Sequence, residues 1–153
     1  MPENIEKTER RYPFPGFEPD RSGEVAALTL KYFVTHPASH KATELTMDPI
    51  LGNMLARDRG DRALRVRLLR YSRQGLLRRK RERGEYHYEI TKFGENRLIY
   101  LWERAGLLDP AKADSETARE EMKVRLELVR SILKAQERQL VKEIEQRRKW
   151  ESI

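Results

Sequence analysis

Residues 57–83 read RDRGDRALRVRLLRYSRQGLLRRKRER and hold most of the basic charge of this 153-residue chain. The stretch contains twelve Arg or Lys and three acids, a net charge of +9, whereas the whole chain carries +7. The rest of the chain is therefore slightly acidic. Because clustered charge of one sign is an electrostatic footprint for a polyanion, this stretch is the first candidate for a functional surface.

The pattern of the stretch predicts a helix followed by a β-hairpin. A helix from about Asp61, its expected cap, to Gln74 is indicated by an apolar stripe at i, i+4 and i+7 and by Gly75 as a C-terminal stop. The stripe consists of Leu64, Leu68 and Tyr71, and the opposite face carries Arg62, Arg65, Val66, Arg70 and Arg73. Strands over Leu76–Glu82 and Tyr86–Ile90 are expected to pair across residues 83–85, because apolar and polar residues alternate in the second strand.

Two elements are predicted at the start of the folded part. A first helix begins near Ser22, a good N-cap, and ends at His36-Pro37, because the residue before proline disfavours helical geometry. Residues 41–46 (KATELT) are short and partly β-branched, and they predict a brief strand.

A second helix is predicted from Pro49 to about Arg57, with Asp48 as its N-cap. Its inward residues are expected to be Ile50, Leu51, Met54 and Leu55. Residues 58–60 then form a tight turn that leads into the basic helix. Two short helices joined by a turn containing Gly make the helix-turn-helix pattern.

After the hairpin, Thr91 is expected to cap a fourth helix over about residues 92–105, which Gly106 ends. Its core face should consist of Phe93, Leu98, Leu101 and Trp102. From Glu116 to about Trp150 the chain contains neither Pro nor Gly, which predicts one long helix. Apolar residues there alternate by four and three, the spacing of a coiled-coil seam. The seam comprises Met122, Leu126, Val129, Leu133, Gln136 and Leu140.

The chain thus divides into an arm over residues 1–21, a domain over 22–106, a linker over 107–115 and a dimerisation helix over 116–153. The fold class expected is mainly α (α+β). The arm contains Pro2, Pro13, Pro15 and Pro19 together with Tyr12, Phe14 and Phe17. It is interpreted either as a disordered leader or as an extended arm whose aromatic residues pack on the body or on a partner.

The composition restricts the function classes. The chain has no cysteine, which excludes disulfides and thiolate metal sites. No apolar run approaches the ~20 residues of a membrane span, and the N-terminus resembles no signal peptide, so a cytoplasmic, nucleoid-associated protein is expected. The three histidines lack metal-ligand spacing, and no nucleophile–base pair or phosphate loop is present. We therefore expect no enzyme activity and no cofactor. The low content of Asn, Gln and Cys is typical of thermophiles.

The order of these elements resembles that of winged helix-turn-helix DNA-binding proteins. Gly75-Leu76-Leu77 is similar to the step that opens the first wing strand of that group. The segment Tyr86-His87-Tyr88-Glu89-Ile90-Thr91-Lys92-Phe93-Gly94 is similar to its second wing strand entering the last helix. The long helix that follows resembles the dimerisation helix of PadR-type regulators, with MarR- and ArsR-type proteins as more distant relatives. The resemblance implies a homodimeric protein that binds double-stranded DNA.

In such an arrangement the third helix enters the major groove, and roles follow for individual residues. The base-contact candidates are Arg62, Arg65 and Val66, because an Arg fork can bond guanine and an apolar side chain can touch a thymine methyl. The backbone candidates are Arg59, Arg70 and Arg73. The wing candidates are Arg78, Lys80, Arg81, Arg83 and Gly84.

Other interpretations remain open at this stage. The basic stretch could be a solvated charged face, or it could bind DNA without sequence preference as an architectural protein. The winged helix could instead be a protein-interaction module, and the long helix could pack on its own domain. The residues indicate no particular small-molecule effector.

Overall fold

The computed structural model describes residues 22–52 and 61–152 of the chain. The chain divides into two compact units, Met1–Ala105 and Gly106–Ile153. Within the described residues, no helix is both long enough and apolar enough to cross a membrane.

In its described residues, the first unit is mainly helical with a small antiparallel sheet of two strands. The described elements in chain order are α1 (Ser22–Thr35), α2 (Ala42–Thr46), a helical turn over residues 49–52, α3 (Asp61–Arg73), β1 (Leu77–Glu82), β2 (Glu85–Ile90) and α4 (Lys92–Arg104). The second unit contains a 3₁₀ turn (Pro110–Lys112) and the long helix α5 (Glu116–Glu151).

Helix α3 has the amphipathic form that the sequence predicts. Leu64 and Leu68 are fully buried and Tyr71 is nearly so. The helix ends where Gly75 adopts a φ of +79°, so that Leu76 N donates to Tyr71 O at 2.9 Å and Gly75 N donates to Ser72 O at 3.1 Å. A residue with positive φ and these two bonds form a Schellman motif, a helix end that favours glycine. The side chain of the predicted cap, Asp61, lies outside the described residues.

The hairpin is tighter than the sequence suggests. Arg83 and Gly84 alone form the turn, with φ values of +52° and +79°, and Glu85 belongs to β2. Positive φ at both central residues is the geometry of two-residue hairpin turns, whose twist matches that of the strands. The register pairs Leu77 with Ile90 and Arg79 with Tyr88.

A corner joins β2 to α4. The Thr91 hydroxyl accepts from Gly94 N at 3.1 Å, which confirms Thr91 as the cap, and it donates to Gly75 O at 2.5 Å. Thr91 N donates to Leu76 O at 3.1 Å. A Cβ on Gly94 would overlap the Leu76 carbonyl oxygen. Residues 91–94 therefore hold the base of the hairpin against the end of α3.

The predicted strand at residues 41–46 is wrong, because this segment forms the helix α2. Lys41 N donates to the Glu44 carboxylate at 3.3 Å, and Leu45 is fully buried, so one helical turn satisfies both the backbone and the core. Next to this segment, His40 pairs with the sheet: His40 N donates to Tyr88 O and Tyr88 N donates to His40 O, both at 2.8 Å.

The second predicted helix is described only over residues 49–52. Asp48 is its N-cap as predicted, since its Oδ1 accepts from Ile50 N and Leu51 N at 3.1 Å. Leu51 is buried, but Ile50 is 52% exposed. Successive side chains of a helix point in different directions, and Leu51 is the one that points inward. The predicted inward residues Met54 and Leu55, and the turn at 58–60, lie outside the described residues.

The core face of α4 differs from the prediction at one position. Leu98 and Trp102 are fully buried and Leu101 is partly buried, but Phe93 is 72% exposed. Gly94, not Phe93, faces the core at the start of the helix, because the close approach to Leu76 leaves no room for a larger residue there.

Ser115 is the N-cap of helix α5, since its hydroxyl accepts from Ala118 N at 3.1 Å, and the 36 residues of the helix span about 54 Å. Its buried residues are Met122, Arg125, Val129 and Ile132. Arg125 donates to Leu107 O at 3.2 Å, and burial lowers the pKa of its guanidinium. Of the predicted seam residues, Met122 and Val129 are buried, Leu126 and Gln136 are half-buried, and Leu133 and Leu140 are each 50% exposed.

Candidate nucleic-acid interface

One side of α3 presents the predicted contact residues to solvent. All of them are exposed: Arg62, Arg65, Val66, Arg70 and Arg73. The burial of Leu64 and Leu68 on the other side fixes the rotation of the helix, so these side chains point away from the core. The exposed side combines four guanidinium groups with one apolar side chain.

A groove of about 470 Å³ runs between α3, the hairpin and the start of α2. Its lining residues on α3 are Arg62, Arg65, Val66 and Leu69; those of the hairpin are Arg79, Gly84, Glu85, Tyr86 and Tyr88; those at the start of α2 are Lys41, Ala42 and Thr43. The structure therefore brings the two predicted base-contact arginines together with the hairpin. Arg70 and Arg73 lie further along the same helix.

The described lining of the groove is strongly basic. It contains four cations, Lys41, Arg62, Arg65 and Arg79, and one acid, Glu85. Lys41 Nζ forms an ion pair with the Glu85 carboxylate. The hydrogen bond from Lys41 lowers the pKa of Glu85, and the same bond raises the pKa of Lys41. Since the single acid is paired, the positive charge of the arginines faces the groove with little local compensation.

The hairpin has two faces because side chains alternate along each strand. We call Arg79 and Arg81 the inner row, because they share a face with the buried residue Leu77 and Arg79 lines the groove. The inner row surrounds an aromatic ring: the guanidinium carbon of Arg79 lies 4.3 Å from the centroid of Tyr86, and that of Arg81 lies 5.7 Å from it.

The opposite face carries what we call the outer row, Arg78 and Lys80. Both cations contact the same oxygen of Glu89, Arg78 Nη1 at 3.1 Å and Lys80 Nζ at 3.4 Å. At the tip of this face, His87 Nε2 lies 4.0 Å from the Glu82 carboxylate. The outer row is thus partly neutralised within the hairpin.

The residues of this site that sequence reasoning missed include Lys41, Arg79 and Tyr86. The period of two along β1 places Arg79 on one face with Leu77 and Arg81, but it does not indicate which face of the hairpin lines the groove. No pattern in the sequence places Lys41 beside the hairpin, since that depends on the pairing of His40 with Tyr88. The predicted backbone contact Arg59 lies outside the described residues.

His36 and His40 have structural partners. His40 Nδ1 lies 2.7 Å from the Glu44 carboxylate and His40 Nε2 lies 2.7 Å from His36 O, while the His36 ring stacks on Tyr32 at 4.2 Å. Among the described residues, no group of three or more His, Asp or Glu could hold a metal ion. These contacts tie the loop between α1 and α2 to the two helices, and the backbone pairing of His40 with Tyr88 attaches it to β2.

No protein-family model, curated protein or solved structure matches this chain.

Proposed function

We propose that this protein is a dimeric, sequence-specific double-stranded DNA-binding protein that acts as a transcriptional regulator. In this proposal the first unit is a winged helix-turn-helix domain. Helix α3 enters the major groove of the DNA, and the hairpin is the wing, which lies on the backbone or in the minor groove. This arrangement resembles that of PadR-type regulators.

One observation carries the proposal: Arg62, Arg65 and Arg79 line a single groove whose only described acid, Glu85, is already paired with Lys41. A solvated charged surface normally mixes the two signs, and nothing in such a surface requires cations of separate elements to converge. Convergence on a groove beside an exposed helix suits a polyanion with a regular backbone, as DNA has.

Sequence preference is assigned to the start of α3. Arg62 and Arg65 can each bond guanine O6 and N7 with two N–H groups, and each such pair contributes about 1–3 kcal/mol of discrimination. Val66, which is 49% exposed, can contact a thymine methyl group. Arg70 and Arg73 are assigned to phosphates.

Dimerisation is assigned to the second unit. Beyond Ile132, helix α5 still presents Leu133, Leu140 and Ile144, which are 50%, 50% and 43% exposed. An exposed apolar stripe on a long helix is stabilised when a second helix covers it. Two copies of α3 would then read a palindromic site.

The test is a titration of labelled duplex DNA with the protein at several salt concentrations near ~0.15 M, in which fluorescence anisotropy reports binding. We expect affinity to fall steeply with salt, because phosphate contacts release counterions. Arg62→Ala and Arg65→Ala should weaken binding, whereas Arg97→Ala should not, although it removes the same charge from an exposed position on α4.

Each contrary outcome has a definite meaning. Absence of DNA binding at ~0.15 M salt would contradict the proposal and favour a protein-interaction module. Equal affinity for every duplex under competition would contradict sequence specificity and favour an architectural DNA-binding protein. Equal losses in the Arg97→Ala control and the α3 variants would place the interface elsewhere.

A further inference from the structure

We infer that the hairpin contacts DNA with only one of its two rows of cations, the inner row of Arg79 and Arg81, and that Tyr86 positions this row. The inference rests on the proposed function and deepens it. The sequence alone favours no row, because Arg78, Arg79, Lys80 and Arg81 follow one another without interruption.

The inner row faces the groove beside α3, and the outer row does not. Arg79 pairs with Tyr88 and Arg81 pairs with Tyr86, so the inner row shares its face with the buried Leu77. Arg79 lines the same groove as Arg62 and Arg65. A DNA strand that follows α3 through this groove would therefore meet the inner row, whereas the outer row points to the other side of the sheet.

The two rows also differ in their ion-pair partners. Arg78 and Lys80 both lie within 3.4 Å of one Glu89 oxygen, so either cation must give up a carboxylate before it binds a phosphate. Among the described residues, no acid lies within ion-pair distance of Arg79 or Arg81. Their charge is available to a phosphate without loss of an existing ion pair.

Tyr86 contacts both cations of the inner row. Its ring lies 4.3 Å from the Arg79 guanidinium carbon and 5.7 Å from that of Arg81, which places both cations at cation–π distance. A contact with the face of a ring offers the guanidinium no carboxylate acceptor, so no ion pair has to break before its N–H groups donate to a phosphate. The ring thus limits the freedom of two long side chains without consuming their donors. Tyr86 is in this sense a positioning residue.

The experiment compares four variants of the full-length chain, each of which removes one positive charge from the same strand. Arg79→Ala and Arg81→Ala are each expected to lower the affinity for duplex DNA about tenfold and to reduce the slope of log K against log salt by about one. Arg78→Ala and Lys80→Ala serve as matched controls, and each should change the affinity less than about threefold, as expected for a cation already paired at the surface.

Two further variants test the partners. Glu89→Gln removes the carboxylate that holds the outer row, and because this row points to the other side of the sheet, the variant should keep the wild-type slope of log K against log salt. Tyr86→Ala should lower the affinity about as much as Arg79→Ala does, whereas Tyr86→Phe should retain wild-type binding because the ring remains. Thermal unfolding of every variant checks that the hairpin is intact, and a change in salt slope at an unchanged melting temperature would not arise from a merely structural role.

Equal losses from the inner and outer rows would overturn the inference and leave the proposed function standing. Wild-type binding by Tyr86→Ala would overturn the positioning role. Absence of duplex binding by the unchanged protein would overturn the proposed function, and the inference with it.

Discussion

At the scale of single residues, Gly94 is a position where the fold leaves no room for a side chain. An added Cβ would overlap the Leu76 carbonyl oxygen and would lie 2.7 Å from Ile90 Cγ1. Since backbone must move to relieve this overlap, we expect Gly94→Ala to lower the free energy of unfolding by about 3 kcal/mol. Denaturant unfolding followed by circular dichroism measures the loss.

Gly84→Ala is the matched control, because a Cβ there meets no atom within 4 Å. Its cost comes only from the φ of +79°, and we expect about 1 kcal/mol. A smaller loss at Gly94 than at Gly84 would contradict the close packing of α4 against the end of α3.

The ion pair between Lys41 and Glu85 predicts a titration. Lys41 lowers the pKa of Glu85, so the contribution of the pair to stability is present at neutral pH and is lost as pH falls through the lowered pKa. Carboxyl chemical shifts measured by NMR should show the pKa of Glu85 rising towards its ordinary value in Lys41→Met and staying low in Lys41→Arg. The same pKa in Lys41→Met and in the wild type would show that no such pair forms in solution.

Individual residues also show where prediction from sequence ends. The cap Thr91 and the stop Gly75 are confirmed, because each depends on bonds with residues close in sequence or on the allowed φ of one residue. The prediction that Phe93 faces the core is wrong. Its apolar side chain does not reveal that the neighbouring residue, Gly94, is the one that must approach the Leu76 backbone. Contacts between distant segments, such as that of Lys41 with Glu85, have no local signal.

At the scale of elements, periodicity predicts α3 well, because its stripe at i, i+4 and i+7 corresponds to fully or nearly fully buried side chains. Residues 41–46 show the opposite case. Their β-branched content favours a strand, but one buried leucine and a carboxylate bonded to the first backbone N–H stabilise a helical turn. A segment this short has too few residues for a period to be recognised.

The two sides of α3 should respond differently to truncation. Leu68 is fully buried, so we expect Leu68→Ala to lower the free energy of unfolding by about 3 kcal/mol. Val66 is 49% exposed, so Val66→Ala should change the free energy of unfolding by less than about 0.5 kcal/mol. The same variant should alter the DNA preference at one base pair. A large loss of stability in Val66→Ala would mean that this side of the helix is covered, which contradicts its assignment to DNA.

At the scale of the whole molecule, the exposed part of α5 predicts a dimer. Light scattering should give the mass of two chains for the wild type and that of one chain, 18.2 kDa, for the double variant Leu133→Glu, Leu140→Glu. The physical reason is that two buried carboxylates per helix would oppose burial of the seam.

Val124→Glu is the control, because Val124 is 65% exposed and lies nine residues, or two and a half turns, before Leu133. It therefore faces the opposite side of the helix, and this variant should remain a dimer. A wild-type protein with the mass of one chain would contradict the assignment of the seam.

The central claim is that α3 selects DNA sequences, and selection of bound molecules from a random pool of duplexes tests it most directly. We predict that the wild type enriches a site with two related halves about one helical turn apart. Arg62→Ala and Arg65→Ala should lose preference at single positions in each half, whereas Arg79→Ala should enrich the same site with lower yield. Enrichment of no sequence by the wild type, or of an unchanged site by both α3 variants, would contradict the account.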